Sequence, residues 1–381
     1  MTIKRLDKHS YEETLNLSMY AFQYNVPEEE KEKRFKQLDQ HELYGIEIEE
    51  NLAAKLHLLS LNVFLGEKEF KMGGIAGVAT YPEYRRKGMV HDLLTFTLER
   101  MREKGQTLSM LHPFSIAFYR KYGWELFATL KKVKVPKAEM KMFEHAPGTV
   151  RRFNKESYPD KLEEIYRRYA KGYSGMLARD SEWWKDRSIT TLHVAIYSND
   201  KGEETGYILY KIKEEKMKVE EFIPLNAEAR NGLWNFICQH DSMLTEVELV
   251  LHPGDPLPFL LDNPKTKTEL HPYFMARVVD VTQFFRLYFP SFNGELSMQI
   301  NDKYAPWNNG KFLMTNKEIK SMSPEHEVDL ELDINVLIPL FFGTYSAAEL
   351  FNMGLIKGNA EKIFILNENL HSRPGFFIDF F

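Results

Sequence analysis

Cysteine is all but missing: Cys238 stands alone among 381 residues. One thiol permits neither an intramolecular disulfide nor a cysteine zinc cage. Its neighbours Leu233, Trp234, Phe236 and Ile237 mark it as a small core residue. HExxH and paired CxxC patterns are absent, so no metal is expected. An excess of basic charge is missing too: 50 Lys and Arg against 55 Asp and Glu leave −5. That argues against nucleic acid as a partner, since such binding leans on a basic face. Long apolar runs are also lacking. Val336 to Phe342 is broken by Pro339 and is too short to span a bilayer. Met1 to Asp7 carries no apolar signal region, and no tract is low in complexity. What remains, 43% hydrophobic and 28% charged, is the composition of a folded soluble chain. It is expected in the cytoplasm, with two or three domains.

Strand-like and helix-like stretches alternate through the first half, which points to an α/β layered fold. Gly73 to Thr80 reads as a buried strand. His91 to Arg102 reads as an amphipathic helix with Leu93, Leu94, Phe96, Leu98 and Met101 on its apolar side and Gly105 as its stop. Thr107 to Leu111 reads as a strand, and Ser115 to Tyr122 as a short helix ended by Gly123. Lys31 to Lys36 is a charge-dense, solvated helix face. Proline, glycine and charge in Pro136 to Gly148 suggest a boundary.

A faint repeat follows. Aligning Gly88 with Gly232 brings the strand-turn-helix from Val78 to Leu93 near the one from Phe222 to Ile237. Leu111-His112-Pro113 is then echoed by Leu251-His252-Pro253. One supersecondary plan used twice accounts for both landmarks. In the last hundred residues Val281 to Tyr288 reads as a helix, Val328 to Ile334 as a strand, and Tyr345 to Met353 as a helix closed by Gly354. These form a third, smaller α+β unit. The expected division is 1–147, 148–277 and 278–381.

The strongest chemical signal is Tyr84-Arg85-Arg86-Lys87-Gly88-Met89-Val90, between a strand and a helix. Three cations there meet the positive end of the helix dipole, an unfavourable placement unless an anion binds. Unpaired N–H groups, the dipole and the basic side chains would then all face a phosphate. A solvated basic turn is the plain alternative.

This segment resembles the acyl-CoA pyrophosphate loop of the GNAT acetyltransferases, Gln/Arg-x-x-Gly-x-Gly/Ala. Arg85 and Gly88 match, and Val90 stands where the pattern has a small residue. The aromatic-rich Phe118-Tyr119-Arg120-Lys121-Tyr122-Gly123-Trp124 adds to the likeness. In the second copy Ala229-Arg230-Asn231-Gly232 holds one cation in place of three, and no tyrosine helix follows His252-Pro253. That copy reads as degenerate and does not bind CoA. The tandem plan, the stretch Tyr173 to Trp184 and the segment Tyr345 to Leu350 together are similar to the Eis ("enhanced intracellular survival") branch of N-acetyltransferases. The resemblance implies two GNAT-like domains followed by a sterol-carrier-protein-like domain, acetyl-CoA as co-substrate and a homo-oligomer, a hexamer in form. It implies cofactor contacts from Val78, Ala79, Arg85, Arg86, Lys87, Gly88, Met89 and Val90.

Acetyl transfer from a thioester to an amine makes three demands. The amine, with an ammonium pKa of about 10.4, must lose a proton. The developing oxyanion needs donors. The departing thiolate, with a thiol pKa of about 8.5, should gain a proton. A tyrosine can give that proton. Tyr119 and Tyr122 compete, three apart and on nearly one helix side, with packing aromatics as the alternative for both. The resemblance assigns the acid to Tyr119. At the far end Phe376, Phe377, Ile378, Phe380 and Phe381 are too apolar to leave in solvent. The tail should tuck in and take the Phe381 carboxylate with it. The resemblance gives that carboxylate the role of base or amine anchor. Simple closure of the third unit, or a subunit contact, is the alternative.

Phe22 and Tyr24 could hold an ammonium ion by cation–π contact, or serve only as helix packing. His112 reads as structural, because His-Pro recurs in the copy without the tyrosine. Three functions compete. The first is an acetyl-CoA-dependent N-acetyltransferase for aminoglycoside, polyamine or lysine-type amines. The second is a non-enzymatic carrier of an apolar ligand through the third unit. The third is an acyltransferase for a peptide N-terminus.

Overall fold

The computed structural model describes residues 2–143, 146–153, 159–185, 191–289, 291–370 and 373–381. The boundary expected at Pro136 to Gly148 therefore includes two positions, 144 and 145, outside the described residues.

The chain opens with β1 (Ile3–Leu6), α1 (Tyr11–Phe22), α2 (Glu28–Leu38), β2 (Glu42–Ile48), β3 (Asn51–Leu65) and β4 (Lys68–Thr80). Then come α3 (Met89–Glu103), β5 (Leu108–Leu111), α4 (Ile116–Arg120), β6 (Glu125–Leu126) and β7 (Thr129–Pro136). In α2 only Leu38 is buried, so its charged run does lie on a solvated face. In α3 the residues Leu93, Leu94, Thr97, Leu98 and Met101 are buried against Ala54, Leu56 and Leu58 of β3 and Ile75 of β4. β3 is buried from Leu52 to Leu59 without interruption, as a central strand with both faces covered must be.

The first sheet runs β1-β2-β3-β4-β5, then Met275–Val278, then β6, with Ser174–Leu177 paired to β3. The second runs Lys267–Pro272, β7, Glu246–Leu251, Lys216–Pro224, Glu204–Lys213, His193–Ser198 and Thr149–Phe153. The two lobes thus exchange strands. β7 lies between two strands of the second sheet, and Met275–Val278 lies between β5 and β6 of the first. A cut at 147/148 or at 277/278 would divide paired strands.

The repeat is real at the level of plan. An antiparallel hairpin, a helix and a parallel strand occur as β3-β4-α3-β5, and again as Glu204–Lys213, Lys216–Pro224, Ala227–Cys238 and Glu246–Leu251. Leu111 and Leu251 close equivalent strands. The alignment of the glycines is corrected, however. Gly88 is the N-cap of α3, whereas Gly232 lies inside its helix, where a side chain would collide with Tyr197. Cys238 is buried, as its apolar neighbours require.

The third sheet has five strands in the order Ile319–Met322, Gly310–Thr315, Glu295–Asn301, Leu330–Asp333 and Ile356–Gly358. The helix Val281–Tyr288 puts Phe284, Phe285 and Tyr288 into a core that continues into Leu59, Phe70 and Met72 of the first sheet. Among the described residues no helix is long and apolar enough to cross a membrane, and no three His, Cys, Asp or Glu residues cluster as metal ligands would.

Candidate active site

The site begins with a parting of strands. β4 pairs with β5 in parallel register from Met72–Leu108 to Ile75–Leu111 and no further, while β4 itself runs on to Thr80. On its other side the pairing with β3 slips, because Lys55 faces Ala79 and His57 faces Ala76. One extra residue is thereby accommodated in β4, a bulge. Gly77 carries it at φ +56, a left-handed conformation in which His57 leaves little room for a side chain. Past Ile75 the β5-facing edge of β4 has no strand partner among the described residues, and a cavity of about 530 Å³ opens there.

Ile75, Ala76, Gly77 and Val78 form one wall of the cavity, and His112, Pro113 and Phe114 beyond β5 form another. Tyr119, Phe381, Phe22 and Tyr24 complete it. Of the two competing tyrosines, Tyr119 reaches the cavity. Tyr122 lies past the end of α4 and stacks on Tyr304 instead, with ring centroids 4.8 Å apart. Tyr119 is nearly buried, edge-on to Phe114 and Phe118, and its hydroxyl has no hydrogen-bond partner among the described residues. Burial drives its phenol well above the ordinary range, so it stays protonated. Phe22 and Tyr24 are 50% and 39% exposed, more rim than packing. His112, expected to be structural, is also cavity wall. It is held among Tyr273, Phe274 and Phe380, and burial lowers its pKa.

The tail is tucked in, but not uniformly. Phe376, Phe377 and Phe381 are buried, whereas Phe380, also at the cavity, remains 60% exposed. The Phe381 ring lies over Gly74 of β4, where any side chain would take its place. Sequence reasoning missed what holds this segment. The Asp379 carboxylate accepts from Arg179 Nε at 2.9 Å, from Trp183 Nε1 at 2.7 Å and from Tyr166 Oη at 3.3 Å. Its carbonyl accepts from Tyr273 Oη at 2.9 Å. Arg179 also donates to Glu221 at 2.6 Å, and Tyr207 donates to the same carboxylate at 2.5 Å. Arg179, Glu221 and Asp379 are all buried, so each charge depends on the others for the solvation it has lost. The Tyr173 to Trp184 stretch singled out in the sequence supplies Arg179 and Trp183.

The cationic loop lies at the start of α3. Arg86 (φ +63) and Gly88 (φ +83) are both left-handed, with Lys87 between them. Such alternation turns successive N–H groups to one side, the geometry of an anion nest. Gly88 as N-cap offers no side-chain acceptor to the first turn. Its glycine is needed for φ, since nothing stands near a Cβ there. Arg85, Arg86 and Lys87 are exposed. Met89 is buried, Val90 packs on the core, and Ala79 turns into the cluster of Leu6, Tyr11 and Leu43, leaving only its main chain for a ligand. The copy differs in kind. Asn226 caps its helix by accepting from Ala229 N at 2.8 Å, and Arg230 is paired with Asp255 at 2.7 Å. The cation there is thus neutralised by a carboxylate, and the cap occupies one of the first-turn N–H groups.

Behind Gly77, Lys55 is fully buried, with Nζ 2.7 Å from His57 Nε2 and 3.1 Å from Gly77 O. Desolvation lowers its pKa from 10.5 to about 7. The unfolded chain keeps that proton up to about pH 10.5 and the folded chain loses it above about 7, so stability should climb with pH across that window. Lys55→Met should abolish this climb and raise the melting temperature at and below neutral pH. Parallel thermal melts of parent and variant from pH 6 to 10 with identical slopes would refute it.

Comparison with known proteins agrees with this geometry. The GNAT acetyltransferase domain family matches residues 2–127, a second GNAT acetyltransferase domain family matches 175–278, and the sterol carrier protein domain family matches 281–377. N-acetyltransferase Eis of Mycobacterium tuberculosis is 26% identical over 209 residues, 51% of this chain and 52% of that one. The match thus spans about half the length of that relative. An uncharacterised N-acetyltransferase of Streptomyces avermitilis is 23% identical, with 75% of each chain covered. A probable N-acyltransferase of unknown function from Enterococcus faecalis superposes over 100% of this chain and 99% of its own, with TM-score 0.92 and 26% identity. Eis1 from Mycobacterium abscessus covers 100% of both at TM-score 0.81 and 16% identity, a likeness of fold.

Proposed function

The chain belongs to the Eis-like GNAT acetyltransferases, and from that premise we propose that it transfers the acetyl group of acetyl-CoA directly to an amine. The observation that carries the reading is the meeting of Tyr119 and Phe381 in one cavity at the parting of β4 and β5. The unpartnered β4 edge suits an extended arm bearing amides. The nest of Arg85 to Gly88 suits its diphosphate. Acetyl-CoA supplies the thioester carbon that the amine attacks. The Phe381 carboxylate takes the amine's proton or anchors the amine, and Tyr119 gives its own proton to the departing sulfur. Exposed aromatic faces at Phe22 and Tyr24 favour an ammonium group at the rim, consistent with aminoglycoside, polyamine or lysine-type acceptors. We place this chemistry in the cytoplasm, in a homo-oligomer.

The carrier alternative finds less support. The third unit's interior is occupied by its own rings: Phe341 stands 5.2 Å from Phe284, 5.7 Å from Phe285 and 5.6 Å from Phe289. The test is thiol release from acetyl-CoA against a panel of amines that includes a peptide N-terminus. Arg85→Glu combined with Lys87→Glu should raise KM for acetyl-CoA several-fold and leave KM for the amine unchanged. Absence of thiol release with every amine, or an unaltered KM for acetyl-CoA, would overturn the reading.

A further inference from the structure

α4 is five residues long, far too short to hold its shape unaided. Its amino end is capped locally, where Ser115 Oγ accepts from Phe118 N. Its carbonyl end is closed by the next turn, where Tyr119 O accepts from Tyr122 N and Trp124 N and Arg120 O accepts from Gly123 N. That closing turn is held in turn by distant parts of the chain. Asn335 Nδ2 donates to Arg120 O at 3.0 Å and to Trp124 O at 3.1 Å. The guanidinium of Arg277, on the exchanged strand, donates to Tyr122 O. Arg277 is fully buried, 5.4 Å from the Trp124 ring, and its other arm meets Asp302 Oδ2 at 2.5 Å. Gly123, at φ +90, makes this possible, since a Cβ there would collide with the guanidinium. Asp302 is fixed in turn, because its other oxygen accepts from the backbone of Tyr304 and Ala305. Tyr304 then stacks on Tyr122.

We propose that the sterol-carrier-like unit is the mount of the Tyr119 helix, with Asn335, Tyr304 and the Arg277–Asp302 pair as positioning residues. The proposal rests on Tyr119 as proton donor and assigns the third unit a task other than ligand carriage. Without these contacts the turn that closes α4, Tyr122 to Trp124, loses its outside anchors, and the phenol drifts from the cavity. A displacement of about 1 Å suffices to cost on the order of 100-fold in rate.

Asn335→Asp keeps the shape and loses the donor. In the full-length enzyme it should lower kcat about tenfold or more while KM for acetyl-CoA stays unchanged. In a Tyr119→Phe background the same change should have no further effect, because there is no phenol left to position. Tyr304→Leu removes the stacked ring without touching a hydrogen bond, and it should show the same split should Asn335→Asp not fold. The proposal is overturned by parental kcat in either variant while Tyr119→Phe is impaired, or by an equal loss in both backgrounds. Near-normal turnover of Tyr119→Phe by itself would instead remove the proton-donor reading beneath it.

Discussion

Tyr119→Phe should lower turnover by about 10²–10⁴-fold, the usual worth of a positioned general acid, and should leave the fold and acetyl-CoA binding intact. The phenol's oxygen has no hydrogen-bond partner among the described residues, so its removal strands no buried donor. The ring, which does the packing against Phe114 and Phe118, is kept. The loss should therefore fall on kcat, with the melting temperature unmoved. Because burial raises the phenol's pKa, the parent should show no alkaline fall in rate near pH 10 from this group. Steady-state thiol release across pH, with melts of both proteins, decides the matter. Near-parental kcat would mean that the sulfur is protonated by something else.

Three residues appended after Phe381 should bring turnover close to background. Phe381 lines the same cavity as Tyr119, and its ring fills the space over Gly74, so additional chain must displace the ring or occupy the acceptor's volume. The extension also turns the α-carboxylate of Phe381, the proposed base, into an amide. Asp379→Asn separates geometry from charge: it keeps the shape of the anchor but leaves Arg179 with Glu221 as its remaining buried countercharge. An amide offers one acceptor oxygen to the three donors Arg179 Nε, Trp183 Nε1 and Tyr166 Oη, and a buried donor left unmet costs about 1–3 kcal/mol, so this variant should melt earlier and lose activity together. The extended chain should lose activity with acetyl-CoA binding by calorimetry retained. Full activity in the extended chain would exclude the Phe381 carboxylate as base.

These expectations differ in how far the sequence alone could carry them. The cations before α3, the apolar side of that helix and the glycine after α4 are local patterns, set by a few neighbouring residues and their burial. The short helix with Tyr119 was legible for the same reason. What its two tyrosines face was not, because Tyr122 is claimed by Tyr304, far along the chain. The Gly88–Gly232 alignment failed on a related point. Glycine serves φ at one position and close packing at the other, and a one-letter match does not separate them. The apolar tail announced its own burial, yet its anchor lies 200 residues away in Arg179. The bulge at Gly77 and the strand exchange depend on long-range register, which leaves almost no trace in local composition.

That exchange has a consequence for how the molecule comes into being. The sheet that carries the site lacks the strand between β5 and β6 until residues 275–278 have been made. A nascent leading lobe must wait, with a raw sheet edge, through the synthesis of the whole second lobe. Assembly is then slow and late, in the manner of folds dominated by distant contacts. Neither lobe can be expected to fold once excised, because each would lose a strand from inside its own sheet.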